Sequence, residues 1–129
     1  MTGDSPLVSI VDDDISVRES LPPLLRLIGY AALTFPSAEA FLASDRIADT
    51  RCLLLDIAMP GMSGTELQEV LVQRHQVIPI IFVTAQQDPD LRPRLLAAGA
   101  VECLYKPYSE AALLGALDTA LGINQGRLG

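Results

Sequence analysis

The sequence predicts an α/β protein: one domain with a five-stranded parallel sheet covered by helices on both faces. Three observations carry this. Five short apolar runs alternate with five helical segments along 129 residues, the order expected of βαβ units joined by right-handed crossovers. The runs are continuously apolar rather than alternating, as strands buried on both faces are, and 50% of all residues are hydrophobic. The chemistry-bearing residues collect just after the runs, where open α/β sheets place their ligands.

The first strand is Leu7 to Val11. Asp14 is placed to cap a helix from Ile15 to Ile28, with Val17, Leu21, Leu24, Leu25 and Ile28 on one side and Gly29 closing it. Pro22-Pro23 removes two backbone donors there, so a kink or break is expected near Glu19 to Leu21. Ala31 to Phe35 is the second strand, and Ser37 caps a short helix from Ala38 to Ala43. Arg51 to Leu55 is the third strand, followed by a helix from Gly64 to Gln73 with Thr65, Leu67, Val70 and Leu71 inward. Val77 to Val83 reads as the fourth strand and, from its unbroken apolarity, as a central one. Asp88-Pro89 suits the N-cap and first position of a helix that carries Leu91, Leu95 and Leu96 and ends at Gly99. Pro93 falls close to the start of that helix. Val101 to Tyr105 is the fifth strand, and Ser109 or Glu110 opens a last helix to Leu121. The domain is expected to span residues 1–122, with 123–129 a polar, Gly-rich tail or the start of a linker.

The formal net charge is −7, from 16 acids and 9 bases, which argues against nonspecific nucleic-acid binding by this domain. The longest apolar stretch, Val77 to Ala85, is too short for a membrane span and contains Pro79. The start has no basic n-region or long apolar h-region, so no secretory leader is expected and the cytoplasm is the default. Cys52 and Cys103 both lie in strand-like runs and read as buried free thiols. His75 has no ligand partners nearby in sequence and reads as a helix-end or loop residue.

Four run ends supply the candidate site. Asp12, Asp13 and Asp14 follow the first strand. Asp56 follows the third and precedes the Met59-Pro60-Gly61-Met62-Ser63-Gly64 loop. Thr84 ends the fourth, and Lys106, the chain's only lysine, ends the fifth. Carboxylates, a hydroxyl and an ammonium are the parts of a metal-assisted phosphoryl site. Each alone has an ordinary explanation. Asp14 is better read as a helix cap than as a ligand, and Asp12, Asp13, Asp56, Thr84 and Lys106 could separately be turn, strand-end or surface residues. Their joint order and spacing, 28 positions from Asp56 to Thr84 and 22 from Thr84 to Lys106, favours the site.

From Leu7 to Leu121 the chain resembles the receiver domain of two-component response regulators, the CheY-like family. The resemblance rests on Val11-Asp12-Asp13-Asp14, the loop after Asp56, Thr84-Ala85 and Lys106-Pro107. It implies a flavodoxin-like, doubly wound sheet of order 2-1-3-4-5 with five helices. It implies that Asp56 accepts a phosphoryl group from the phosphohistidine of a sensor histidine kinase. Mg²⁺, with Mn²⁺ a possible substitute, would be held by Asp12 (directly or through a water), Asp13, Asp56 and the backbone carbonyl of Ala58. Lys106 and the Thr84 hydroxyl would take phosphoryl oxygens, with help from the Ala85 backbone N–H, and Lys106-Pro107 would be a cis peptide. The output surface would be the fourth helix, fifth strand and fifth helix, where Arg92, Arg94 and the last helix could support a phosphorylation-dependent homodimer. Ser37-Ala38-Glu39-Ala40-Phe41-Leu42 and Gly99-Ala100-Val101-Glu102 look further like receivers that precede a LuxR-type DNA-binding domain, which implies transcriptional control. Such a domain is a signalling module that promotes its own phosphotransfer and dephosphorylation, not an enzyme acting on an external substrate.

Two departures stand out. Receivers usually carry Tyr or Phe three residues before the lysine, where this chain has Cys103; its aromatic is Tyr105, on the same strand face by period-two alternation. A weaker or rerouted coupling between phosphorylation and the output surface is therefore expected. Ala58 and Gln86 flank the path of the attacking water, and Ala58 cannot hold one, so a long-lived phosphoryl group is expected. Two other classes compete. Haloacid-dehalogenase-type phosphatases share a strand-end Asp, Thr, Lys and Mg²⁺ but want a second Asp where Ala58 stands. A non-phosphorylated pseudo-receiver would fit Cys103 and the helix prolines but leaves the intact acids, Thr84 and Lys106 without a purpose.

Overall fold

The structure, a computed structural model, describes residues 5–125, and the side chains of 5–122. Five strands, β1 (Leu7–Val11), β2 (Ala31–Phe35), β3 (Thr50–Asp56), β4 (Ile80–Thr84) and β5 (Glu102–Tyr105), alternate with five helices. These are α1 (Ile15–Leu27), α2 (Ala38–Ala43), α3 (Gly64–Gln73), α4 (Leu91–Ala97) and α5 (Glu110–Gln125). The sheet order is β2-β1-β3-β4-β5 and every pairing is parallel, as the sequence led us to expect.

Strand alternation builds two cores. Leu53, Leu55, Phe82 and Cys103 face α2, α3 and α4, against Phe41, Leu67, Leu71, Leu91 and Leu95. Ile10, Cys52, Leu54, Ile81, Val83 and Leu104 face α1 and α5, against Leu25, Leu113 and Leu117. Both cysteines are free and buried, and burial pushes the Cys52 thiol up to about 12. With both faces covered, the sheet exposes its chemistry only at strand ends.

Four elements differ from expectation. α1 runs without a break through Pro22-Pro23. Pro22 is buried in the helix's inner face beside Leu21 and Leu25, Pro23 is exposed, and the carbonyls of Arg18 and Glu19 lose their helical donors. The fourth strand starts at Ile80, not Val77: Val77 is 94% exposed, and Pro79 has no N–H for the ladder although its carbonyl accepts from Leu53 N–H at 2.9 Å. α4 starts at Leu91, not after Asp88. The Asp88 carboxylate accepts from Asp90 N–H at 3.0 Å and forms a turn ahead of the helix. Pro93 sits at the third helical position, where its absent N–H costs nothing. α5 continues past Gly122 to Gln125, and residues 126–129 of the expected tail lie outside the described residues.

Candidate functional site

The carboxyl ends of β1, β3, β4 and β5 bring the predicted residues together. Asp12 follows β1 and is 1% exposed. Its Oδ1 accepts from Asp14 N–H at 2.9 Å, its backbone N–H reaches Phe35 O at 3.1 Å, and the Arg18 guanidinium donates to its carbonyl at 2.9 Å. The acidic turn is thereby fixed before α1 begins. Asp14 caps α1, its carboxylate accepting from Ser16 N–H at 2.9 Å, as its sequence position suggested. Asp56 is the last residue of β3 and 7% exposed. One carboxylate oxygen each from Asp12, Asp13 and Asp56 lie within 4.8 Å of one another.

This crowding sets the electrostatics. Burial first, then the Asp12 and Asp13 charges, raise the Asp56 carboxyl from 3.8 to about 7, against an opposing pull from Lys106. The Lys106 ammonium lies 3.2 Å from Asp12 Oδ2. Burial pulls its pKa down, but Asp12 and Asp56 together outweigh that and hold it above its ordinary value. One ammonium thus faces three carboxylates, an excess of negative charge that a hard cation with oxygen ligands would neutralise. The donor set fits Mg²⁺ on chemical grounds.

Thr84 ends β4 beside this cluster, 1% exposed, its Oγ1 accepting from Gln86 N–H at 3.0 Å. Lys106 is registered on it through Lys106 N–H to Thr84 O at 2.7 Å, and the Lys106-Pro107 peptide is cis. Ala58 and Ala85, expected to act through their backbones, are both exposed in the loops after β3 and β4.

The loop after Asp56 is built for close approach. A Cβ on Gly64 would overlap the Asp56 carbonyl oxygen, and Gly64 N–H closes the loop on Ile57 O at 2.9 Å. Ser63 then starts α3 with a reciprocal capping box with Glu66. Gly61 has φ +75°, and Glu39 from α2 accepts Met62 N–H at 2.9 Å beside it.

Sequence reasoning missed Arg18, Glu39, Gln87 and the Tyr105 hydroxyl as parts of this end of the molecule. The Gln87 amide donates to Lys106 O at 3.0 Å. The Tyr105 hydroxyl donates to Asp88 O at 2.8 Å and accepts from Arg92 N–H at 3.1 Å. Tyr105 was traceable through its strand parity; the others reach across from helices or loops with no periodic signal.

Comparison with known proteins agrees with this geometry. The model of the response regulator receiver domain matches residues 8–118. The chain is 40% identical over 124 residues to the transcriptional regulatory protein TdiR of Thauera aromatica, covering 96% of this chain and 55% of that protein. It is 38% identical over 122 residues to the transcriptional regulatory protein FixJ of Azorhizobium caulinodans, covering 93% and 58%. The chain thus spans about half the length of the curated relatives it matches. Of solved structures, the response regulator StyR is similar at 48% identity and TM-score 0.86, over 95% of this chain and 62% of that one. FixJ-N is similar at 34% identity and TM-score 0.80, over 98% of both. The acids, hydroxyl and lysine gathered at four strand ends and the match along nearly the whole chain agree: this chain belongs to the response regulator receiver domain family.

Proposed function

We propose that Asp56 accepts a phosphoryl group from the phosphohistidine of a sensor histidine kinase. The observation that carries this is the convergence of buried Asp56 with Asp12, Asp13 and Lys106 at one end of the sheet. An Asp56 carboxylate oxygen attacks phosphorus, the O–P bond forms as the N–P bond breaks, and the imidazole, already protonated on its other ring nitrogen, leaves neutral with the N–P electron pair. A carboxylate is a weak nucleophile, so the reaction depends on positioning and on neutralising charge. Asp12, Asp13, Asp56 and the Ala58 backbone carbonyl would hold Mg²⁺, or Mn²⁺ in its place, which neutralises phosphoryl oxygens. Lys106 pairs with one phosphoryl oxygen, the Thr84 hydroxyl donates to another, and the Ala85 N–H assists. Ala58 holds no water against the phosphoryl group, so it is long-lived, and Ala58→Asn should shorten its lifetime.

The domain is a signalling module that promotes its own phosphotransfer and dephosphorylation. Its surface of α4, β5 and α5 is the output face and supports a phosphorylation-dependent homodimer. The domain occupies residues 1–122 as its core, with α5 running on to Gln125 and the rest of 123–129 a tail or the start of a linker. In a longer protein it works in the cytoplasm and controls transcription through a separate domain, making no nucleic-acid contact itself. The test is labelling with radioactive acetyl phosphate. A Mg²⁺-dependent label released by hydroxylamine, as acyl phosphates are, supports the reading. A hydroxylamine-resistant label contradicts it, and no label from either acetyl phosphate or a phosphorylated cognate kinase contradicts it and favours a pseudo-receiver.

A further inference from the structure

The segment between β4 and α4 has no apolar anchor. Ala85, Gln86, Gln87, Asp88, Pro89 and Asp90 are all exposed, and burial resumes only at Leu91. Hydrogen bonds must therefore decide where this segment sits. α4 itself begins weakly: Asp90, at its N-cap, makes no side-chain capping bond among the described residues. The end of β5 supplies what is missing. The Tyr105 hydroxyl uses both its capacities, donating to Asp88 O at 2.8 Å and accepting from Arg92 N–H at 3.1 Å. It thus caps α4 from a neighbouring strand, satisfying one of the helix's unpaired first-turn donors. The Gln87 amide donates to Lys106 O at 3.0 Å and more weakly to Ala85 O at 3.4 Å. Both partners are carbonyls, so only the NH₂ end of Gln87 fits there. Glu102 completes the grip, its two oxygens receiving the Arg92 guanidinium at 2.6 and 3.1 Å.

We propose that Tyr105, seconded by Gln87, is a latch that holds the β4–α4 segment and the first turn of α4 on the end of β5 in the unphosphorylated state, and that phosphorylation releases it. The proposal rests on Asp56 being the phosphoacceptor. The segment is continuous with Thr84, whose Oγ1 already holds Gln86 N–H at 3.0 Å. When Thr84 turns its hydroxyl to a phosphoryl group, the Gln86 to Asp88 backbone must follow, and the ties at Asp88 O and Lys106 O lie directly in its way. Cys103, small and 2% exposed, offers no ring to move. The hydroxyl at 105 takes over the coupling, by a polar tie rather than by a change of rotamer.

In this proposal phosphoryl gain proceeds through the fraction of molecules in which the tie is open, so the tie slows it in proportion and its removal speeds it. Tyr105→Phe keeps the ring and removes only the tie. Two readouts on wild type and Y105F decide the matter: amide hydrogen exchange over residues 85–92, and the rate of phosphoryl gain from acetyl phosphate with Mg²⁺, followed by intact mass. Unphosphorylated Y105F should exchange faster there by roughly fivefold, the change that losing one hydrogen bond makes in an equilibrium. It should gain phosphate faster by a similar factor, and phosphorylated wild type and Y105F should exchange alike. Gln87→Ala should move both readouts in the same direction. Unchanged exchange in both variants overturns the latch. Faster exchange without faster phosphorylation also overturns it, because a merely structural bond would behave that way. No phosphoryl gain by wild type from acetyl phosphate or from a phosphorylated cognate kinase would defeat the phosphoacceptor reading itself, and the switching role with it.

Discussion

At the scale of single residues, Asp56 and Lys106 govern the site. The Asp56 carboxyl is raised from 3.8 to about 7 by burial and by its acidic neighbours. Between those values the folded protein holds a proton that the unfolded chain has lost, so stability falls as pH rises from about 4 to 7. The penalty is absent below the unfolded value and complete above the folded one. In the presence of a chelator, Asp56→Asn should therefore stabilise the protein at pH 8, on the order of a few kcal/mol, and leave it nearly unchanged at pH 4. Denaturant melts at the two pH values check this. Lys106→Ala should have the opposite sign at neutral pH. It strands Asp12, 1% exposed, without its cation, at a cost of about 1–3 kcal/mol, and it should also cut phosphoryl gain at Asp56 severely. Normal phosphorylation by that variant would remove Lys106 from the mechanism.

At the scale of elements, the loop and helix ends around the site carry the constraint. Gly64→Ala should cost about 2 kcal/mol or more, because a Cβ there overlaps the Asp56 carbonyl and displaces β3 from its loop. Pro23→Ala should do the reverse. Pro23 is exposed inside an unbroken helix, so restoring its N–H should raise stability by about 1–2 kcal/mol, visible as a higher melting temperature. These helices also show how far sequence can be read. Apolar periodicity with caps at Asp14 and Ser37 located α1 and α2, and periodicity alone located α3, to within a residue or so, because those signals are local. Pro22-Pro23 misled because the loss of two backbone donors is a local cost, and the burial of Leu21, Pro22 and Leu25 on the helix's inner face outweighs it. Val77 to Pro79 misled because apolarity marks burial only where a neighbouring strand pairs, and none reaches Val77. The acids, Thr84 and Lys106 were legible because strand ends fix them. Glu39, Gln87 and the Tyr105 hydroxyl were not, because their partners are backbone atoms of distant loops.

At the scale of the whole molecule, the doubly wound sheet seals its two cores and leaves one polar end where three strands deliver charge and β4 delivers the Thr84 hydroxyl. That end is overcharged: Asp12, Asp13 and Asp56 lie together with one ammonium. Binding of a divalent cation to the folded state alone should raise the melting temperature with Mg²⁺ concentration, and Asp13→Asn should blunt the rise. A rise of equal size in that variant would place the cation elsewhere. The proposed function places the phosphoryl group at this same end, and one measurement tests that most directly. The protein is incubated with acetyl phosphate, with and without Mg²⁺, and its intact mass is read beside that of Asp56→Asn. A receiver that uses Asp56 gains a single phosphoryl group only when Mg²⁺ is present and only in the wild type. A gain that persists in Asp56→Asn, or no gain in the wild type from either acetyl phosphate or a phosphorylated cognate kinase, would contradict it.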